Sequence, residues 1–189
     1  HELGSSLGYF SRVFKDRGFD VSASDVSSYI VKKAGAIQKD IKFFKLNIEK
    51  KIDINKKYDF VVAFEVLEHL KDPEKIILQI KELLSVDGVV LISLPNECTM
   101  YHRLKMLFGK GIDGTGFAPH YHLHFPTLKQ NKEFIEKYFT IAETRYWFHL
   151  GLGGAFEKVL SIIPHWFWAG LVNLFPSFFA RGGIYLCRR

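Results

Sequence analysis

The sequence predicts an α/β domain built on a doubly wound, mainly parallel sheet. Segments of strand character alternate with segments of helical spacing along most of the chain, which is typical of repeated β–α–β units. Two strands, "YDFVVAFEV" (58–66) and "VVLISLPN" (89–96), are apolar almost throughout, as expected when helices cover both faces of a sheet. With 189 residues and 48% hydrophobic content, the chain supports one core, so we expect a single domain over 1–189.

The first half of the chain supplies the elements that lead to the strand at 58–66. Apolar residues at helical spacing predict a helix over 8–18 that stops at Gly18. "FDVSASD" (19–25) predicts a short strand, and "SSYIVKKAGAI" (27–37) predicts a helix capped by Ser27 or Ser28. "IKFFKLNI" (41–48) predicts a further strand that Asn47 closes.

The second half begins with the best-defined helix, "KDPEKIILQIKELLSVDG" (71–88). Asp72 can cap it, Pro73 suits its first position, and Gly88 can end it. After the strand at 89–96 comes an irregular stretch that contains four glycines. "TLKQNKEFIEKYF" (127–139) then predicts a helix, and "TIAETRYWFHL" (140–150) and "GGIYLCRR" (182–189) predict the last two strands.

Candidate functional residues follow these strands, because doubly wound sheets bind ligands beyond the carboxyl ends of their strands. In "ELGSSLG" (2–8), Gly4 and Gly8 bracket a turn that opens a helix, whose free N–H groups favour a ligand there. The turn lacks the middle glycine of the dinucleotide motif G-x-G-x-x-G. Asp25 ends the second strand about 20 residues further on, where a carboxylate can accept hydrogen bonds from ribose hydroxyls. A helix-capping role is the alternative for Asp25.

These motifs resemble class I S-adenosylmethionine-dependent methyltransferases of the type 11/type 23 group, which includes the ubiquinone-biosynthesis O-methyltransferases. The long block 58–96 is the most specific part of the resemblance, and Ser6 departs from it because many members have glycine there. The resemblance implies a Rossmann-like fold with a central first strand and an antiparallel last strand. It also implies S-adenosylmethionine as cofactor, S-adenosylhomocysteine as product, and the following cofactor-binding residues: Glu2, Gly4, Ser5, Gly8, Asp25, Val26, Asn47, Ile48, Phe64 and Glu65.

The implied reaction moves a methyl group to an oxygen or nitrogen nucleophile of a small or lipid-linked acceptor. His69, just beyond the buried strand, is the candidate base, because an imidazole can take a proton near neutral pH. The alternative is that His69 only orders its loop. Two other functions stay open: a non-catalytic relative that keeps the fold for binding or assembly, and a nicotinamide-dependent enzyme, which the missing glycine motif disfavours.

A metal site is a further alternative, because Glu65, Glu68 and His69 form the pattern E-x-x-E-H. This pattern resembles the divalent-metal site of small-RNA 3′-end 2′-O-methyltransferases, and histidines from "PHYHLHFP" could add ligands from one side of an extended segment: His120, His122 and His124. Most relatives carry the same block with no metal implied by it. We therefore expect no metal, and histidines that line or cover the substrate pocket.

The apolar tail at 159–180 is long enough to cross a bilayer, but Pro164, His165, Asn173 and Pro176 interrupt it. We expect a buried lid or a homodimer surface first. Peripheral membrane contact comes second, because aromatic residues such as Trp166 and Trp168 suit a headgroup boundary, and a spanning helix comes last. The segments 97–125 and 151–180 are therefore expected to be lid or substrate-side insertions.

Charge and cysteine content restrict the partners and the compartment. The net charge of +6 comes largely from lysines in 32–57, which acidic residues interrupt and aromatic residues do not interleave, so we expect a solvated face rather than a nucleic-acid site. Cys98 and Cys187 fit no metal spacing and are expected to be reduced in a cytoplasmic protein, with membrane association through the tail as an addition. Because so little precedes the glycine turn, we also expect an N-terminal truncation that removes most of the first strand.

Overall fold

The computed structural model describes residues 1–111, 122–148 and 162–189, and it contains one seven-stranded sheet in the order β3-β2-β1-β4-β5-β7-β6. Neighbouring strands among the first five are parallel, and β7 runs antiparallel to both β5 and β6. This confirms the doubly wound sheet with an antiparallel last strand. The strands are β1 (Glu2–Leu3), β2 (Ser22–Asp25), β3 (Lys42–Lys45), β4 (Tyr58–Phe64), β5 (Leu84–Pro95), β6 (Thr140–Trp147) and β7 (Gly182–Arg188).

Helices lie between most of the strands, and two of them begin at predicted caps. The side chain of Ser27 accepts a hydrogen bond from the N–H of Ile30, and that of Asp72 accepts one from the N–H of Lys75. A 3-10 turn, Leu67–His69, lies between β4 and the next helix. The helices are α1 (Tyr9–Asp16), α2 (Ser28–Ile37), α3 (Pro73–Leu83), α4 (Met100–Leu107), α5 (Leu128–Glu136), α6 (His165–Leu174) and α7 (Pro176–Phe179).

Two predicted boundaries were wrong. Helix α3 ends at Leu83 rather than at Gly88, because Leu84 already pairs with Tyr58 and the chain continues as β5. A Cβ at Gly88 would lie 3.0 Å from the carbonyl oxygen of Tyr58, so this glycine serves close strand contact rather than a helix end. The stretch after β5 is also not irregular throughout, since it contains α4 before the first of its glycines, Gly109.

The core lies between the sheet and the helices α3 and α5. Leu3, Val61 and Ile92 on the strands and Ile77 and Ile80 on α3 are all within one cluster of buried side chains. Each fully buried aliphatic side chain of this kind contributes roughly 1.5–3 kcal/mol. This core fixes the carboxyl ends of the central strands, where the predicted functional residues lie.

The described part of the tail, 162–180, contains α6 and α7, and Val172 and Ala180 pack with Leu128 in a small second cluster. Among the residues that the structure describes, no helix is long and apolar enough to cross a membrane. The lid and dimer roles of 97–125 and 151–180 stay predictions, and 112–121 and 149–161 lie outside the described residues.

A substitution at Gly8 tests whether the loop between β1 and α1 requires glycine. Gly8 has φ +75°, and a Cβ there would lie 2.5 Å from Cζ of Phe43. We expect Gly8→Ala to lower the free energy of unfolding by about 1–3 kcal/mol, because it adds left-handed strain and a close contact. The matched control is Gly35→Ala in α2, where a Cβ meets nothing within 4 Å. That variant should be stabilised by up to about 1 kcal/mol in urea unfolding. Equal effects of the two substitutions would contradict this account of the turn.

Candidate functional site

A cavity of about 340 Å³ lies at the carboxyl ends of the central strands. Residues from the loops that follow β1, β2, β3 and β4 line it together. They include five of the predicted cofactor-binding residues and the predicted base: Gly4, Val26, Asn47, Ile48, Glu65 and His69. The structure therefore gathers at one site residues that are up to 65 positions apart in the sequence.

The glycine loop between β1 and α1 has an unusual backbone. Gly4, Ser6 and Gly8 all have positive φ, at +65°, +48° and +75°. A Cβ at Gly4 would lie 2.7 Å from Cγ2 of Val66, so the loop passes too close to the loop after β4 for a larger residue. The N–H of Ser5 donates to the carbonyl of Ser24 at 2.9 Å, and its hydroxyl is buried without a hydrogen-bond partner among the described residues.

Asp25 connects the first two loops of the site. One carboxylate oxygen accepts the N–H of Ser6 at 3.0 Å, and the other accepts the N–H of Ser27 at 2.9 Å. Each oxygen retains a lone pair for a further donor. Asp25 therefore combines the two roles that were alternatives in the sequence, because it organises the turn before α2 and keeps acceptor capacity beside the cavity.

The loop after β3 contributes Asn47 and Ile48. The side-chain oxygen of Asn47 accepts the N–H of Glu49 at 3.0 Å, and the carbonyl of Ile48 accepts Nε2 of Gln79 at 3.0 Å. These bonds fix the loop against α3. The side-chain amide of Asn47 keeps its two N–H donors for a ligand, and Ile48 supplies an apolar wall.

Glu65 has φ +51°, which is rare for a residue other than glycine. Ser93 on β5 holds this conformation, because its hydroxyl accepts the N–H of Glu65 at 2.9 Å and lies 2.7 Å from the Glu65 carboxylate, to which it donates. Burial raises the pKa of Glu65. Ser93 was not predicted as a site residue, although a lone hydroxyl in an apolar strand was a usable signal.

Five predicted residues do not line this cavity: Ser5 and Asp25, described above, and Glu2, Gly8 and Phe64. The Glu2 carboxylate is buried and accepts a hydrogen bond from Ser11 of α1, and burial raises the pKa of Glu2. Glu2 lines a different cavity, of about 310 Å³, together with residues before β2 and at the start of β4. Phe64 packs edge-on against Phe10 with ring centroids 4.6 Å apart, and Gly8 caps α1. Their cofactor-binding roles stay predictions.

A cluster of one carboxylate and two imidazoles adjoins the cavity. Ligand atoms of Glu68, His69 and His122 all lie within 4.8 Å of one another. Glu68 is 1% exposed, and neither carboxylate oxygen has a hydrogen-bond partner among the described residues. Burial raises the pKa of Glu68 to about 7. Carboxylate and imidazole are ligand types that a divalent cation accepts. The other candidate ligands, Glu65, His120 and His124, are not part of this cluster among the described residues.

The other residues of the alternative metal set have different partners. The Glu65 carboxylate accepts the Ser93 hydroxyl, and Nε2 of His124 lies 2.8 Å from the carbonyl of Leu70. His122 instead lies 2.6 Å from the Glu97 carboxylate through Nδ1, so the two described histidines of the segment have different partners. His120 lies outside the described residues.

The Glu97–His122 pair is a feature that the sequence did not predict. Its hydrogen bond raises the pKa of His122; burial acts to raise the pKa of Glu97, but the same bond holds it below the usual value. The ring of His69 lies edge-on to His122 with centroids 4.8 Å apart. The candidate base therefore lies in a connected group of titratable side chains rather than alone on a loop.

Comparison with known proteins identifies the family. The family model Methyltransf_23, described as a methyltransferase domain, matches residues 2–148. The chain belongs to this methyltransferase family. The ubiquinone biosynthesis O-methyltransferase of Rickettsia canadensis is 26% identical over 117 residues, which are 60% of this chain and 49% of that protein. The chain thus spans about half the length of this curated relative.

Solved structures share the methyltransferase fold at low sequence identity. An S-adenosylmethionine-dependent methyltransferase from Mesorhizobium loti has a TM-score of 0.68 at 14% identity, covering all of this chain and 89% of that one. Magnesium protoporphyrin IX methyltransferase from Synechocystis, solved with S-adenosylhomocysteine, has a TM-score of 0.65 at 17% identity, covering all of this chain and 72% of that one. These likenesses extend to the whole sheet, including the antiparallel last strands.

Removing the hydroxyl of Ser93 tests whether the backbone conformation of Glu65 matters for cofactor binding. We expect Ser93→Ala to weaken binding of S-adenosylhomocysteine by roughly three- to thirtyfold in calorimetry, because the strained Glu65 loses both hydrogen bonds that hold it. The matched control is Ser85→Ala, which removes a hydroxyl from the exposed end of the same strand, where it bonds Asp59. Unchanged affinity in Ser93→Ala, with the control also unchanged, would show that this conformation does not matter for binding.

The buried Glu68 predicts a pH-dependent stability. Its folded pKa of about 7 lies above the ordinary 4.5, so the stabilisation from its bound proton is complete below the ordinary value and is lost as pH rises to about 7. In chelator, Glu68→Gln should therefore gain stability relative to the unsubstituted chain, by on the order of 2–3 kcal/mol between about pH 5 and about pH 8. Urea unfolding at several pH values measures this difference.

The control for that experiment is Glu82→Gln, an exposed position on α3, whose effect should not vary with pH in the same way. A pH-independent effect of Glu68→Gln would contradict the raised pKa. A different result identifies a cation: if chelator lowers the stability of the unsubstituted chain near pH 8 and not that of Glu68→Gln, the cluster holds a metal.

Proposed function

We propose that this chain is an S-adenosylmethionine-dependent methyltransferase that acts on an oxygen or nitrogen nucleophile of a small or lipid-linked acceptor. One observation carries the proposal. Four successive loops at the carboxyl edge of the sheet meet around a cavity of about 340 Å³, in a chain whose residues 2–148 match a methyltransferase domain. Ligands of doubly wound sheets bind at this edge.

The side chains around the cavity fit the chemistry of the proposed cofactor. The glycine turn leads into α1, whose N-terminus has no side-chain cap, Asp25 offers carboxylate oxygens to ribose hydroxyls, and Asn47 offers amide donors. Ile48 and Val66 supply apolar walls. When bound, the sulfonium group of S-adenosylmethionine supplies an electrophilic methyl group, so the chain mainly has to position the two reactants.

A second cavity supports an apolar acceptor. It has a volume of about 410 Å³ and is lined mainly by apolar side chains of the 3-10 turn, β5, the segment before α5 and α5 itself, including Leu67, Leu94, Leu123, Phe125 and Phe134. The loop after β4 lines both cavities: Glu65, Val66, His69 and Leu70 line the first, and Leu67 and Glu68 line the second. An acceptor in the second cavity therefore lies beside the proposed cofactor site.

His69 is the proposed base of this reaction. It lines the cofactor cavity, and its Nε2 lies 3.8 Å from the Glu68 carboxylate, which can stabilise a protonated imidazole. The relative from Rickettsia canadensis is named as an O-methyltransferase, and this favours a hydroxyl as the nucleophile here. Deprotonation of such a hydroxyl is the step for which a base is useful.

Binding of S-adenosylhomocysteine tests the proposal directly. We expect calorimetry to detect binding, and Asp25→Asn to weaken it by roughly tenfold or more, because a charge-assisted hydrogen bond to a ribose hydroxyl is lost. The matched control is Asp40→Asn, which changes an exposed carboxylate that pairs with Arg12 on the surface and leaves the cavity unchanged.

The outcomes separate three functions. Absence of binding to the unsubstituted chain would contradict the methyltransferase proposal and favour a non-catalytic protein that keeps the fold. A thermal shift with a nicotinamide dinucleotide and none with the S-adenosyl compounds would favour a dehydrogenase. If Asp25→Asn binds S-adenosylhomocysteine as tightly as the unsubstituted chain, Asp25 does not contact the cofactor, although the cofactor proposal stands.

A further inference from the structure

Helix α4 is exposed on nearly all sides at the carboxyl edge of the sheet. Of its residues only His102 is buried. Its large apolar side chains are accessible, with Leu107 exposed by 77% and the adjoining Phe108 by 75%, and the full set is Met100, Tyr101, Leu104, Met106, Leu107 and Phe108. A soluble surface seldom shows such a dense group of large apolar side chains, and dense groups of this kind mark interaction sites.

Helix α6 carries a second group of exposed apolar side chains. Trp166 is exposed by 73% and Leu174 by 72%, and Phe167, Phe175 and the preceding Ile162 are also exposed. Only Val172 of this helix is buried. The helix therefore contacts the rest of the described chain along a narrow line and presents aromatic and aliphatic side chains outwards.

Helix α7 connects these two groups into one surface. It follows α6 directly, since Phe175 is both the last cap of α6 and the first cap of α7. On the other side it contacts α4, where the guanidinium carbon of Arg103 lies 4.5 Å from the ring centroid of Phe178. We call this surface the α4/α6 face, and it comprises residues 98–111 and 162–181.

The charges of the α4/α6 face have one sign. It contains Arg103, Lys105, Lys110 and Arg181 and has no Asp or Glu, although the whole chain carries 20 acidic residues. A second copy of the chain would bring like charges together across an isologous contact, which disfavours a homodimer through this face. Exposed Trp and Tyr beside Lys and Arg are instead the composition of surfaces that enter the headgroup region of a bilayer.

We infer that the α4/α6 face docks the protein on an anionic lipid bilayer. The apolar side chains of α4 and α6 enter the boundary between headgroups and acyl chains, and the cations bind lipid phosphates. Contacts of this face also join it to the functional site. Asn96, just after β5, donates its side-chain amide to the carbonyl of Ala180 at 2.9 Å, and Glu97 next to it pairs with His122.

The docking face also indicates the class of acceptor, and this part of the inference rests on the proposed methyltransferase function. A lipid-linked acceptor that diffuses in the bilayer would reach the site from the docked face without leaving the membrane. The acceptor class favoured by the α4/α6 face is therefore an amphiphile with a hydroxyl or amine near the headgroup level, rather than a freely soluble molecule. Docking itself requires no methyltransferase activity.

Vesicle sedimentation tests the inference with the full chain. We expect binding to vesicles of phosphatidylcholine with phosphatidylglycerol, weaker binding to phosphatidylcholine alone, and loss of binding as salt rises. The double variant Leu107→Asp/Phe108→Asp should bind anionic vesicles at least about tenfold more weakly, since it removes two side chains from the apolar contact and adds negative charge. The matched control is Val86→Asp, at 83% exposure near the opposite end of β5, which should bind as the unsubstituted chain does.

The other outcomes overturn the inference. Equal binding to neutral and anionic vesicles, no binding to either, or unchanged binding by the double variant would each contradict an anionic docking face. A dimer in light scattering that the double variant dissociates would assign the face to a second copy. Thermal unfolding of both variants checks that they fold. Binding of S-adenosylhomocysteine, measured separately, should survive in the double variant, so failure of the methyltransferase proposal and failure of docking are distinguishable.

Discussion

The parallel pairing of β1 with both of its neighbours is the constraint on which the site depends. Glu2 and Leu3 pair with Ala23 and Ser24 on one side and with Val62 and Ala63 on the other. These two residues bring the ends of β2 and β4 to the same level as the glycine turn. Because Leu3 is fully buried in the core, the turn cannot shift along the sheet without disturbing the packing beneath it.

Backbone strain is concentrated where the loops meet. Ser6 and Glu65 are the non-glycine residues with positive φ in the described chain, and they belong to the loops after β1 and β4. Each is held by hydrogen bonds from another loop or strand, Ser6 through Asp25 and Glu65 through Ser93. Residues in such conformations cost of order 1–3 kcal/mol and persist where the surroundings over-determine them. The site is therefore stabilised by cross-loop bonds rather than by local preference.

The sequence predicted the alternation of strands and helices, the Ser27 and Asp72 caps and the gathering of loop residues at one edge, because periodicity and capping are local signals. It missed α4, since glycines that follow the helix suggested an irregular segment, and it extended α3 to Gly88 because strand pairing of Leu84 is not visible locally. The Glu97–His122 pair could not be predicted, because its members are 25 residues apart and meet only after tertiary packing. For Glu2, the motif predicted a cofactor contact but could not reveal that its carboxylate accepts a hydrogen bond from the Ser11 hydroxyl.

The loop after β4 has a thermodynamic consequence. Residues 65–70 form the common wall of two cavities, with alternate groups of side chains facing each. A molecule that displaces this wall from one side changes the shape available on the other. Reciprocity then requires that each occupant alter the affinity of the other by the same factor. The hydroxyl of Ser93 and the bonds that the N–H groups of Leu123 and His124 donate to the carbonyl of Glu68 hold this wall in place, so they bear on the size of that factor.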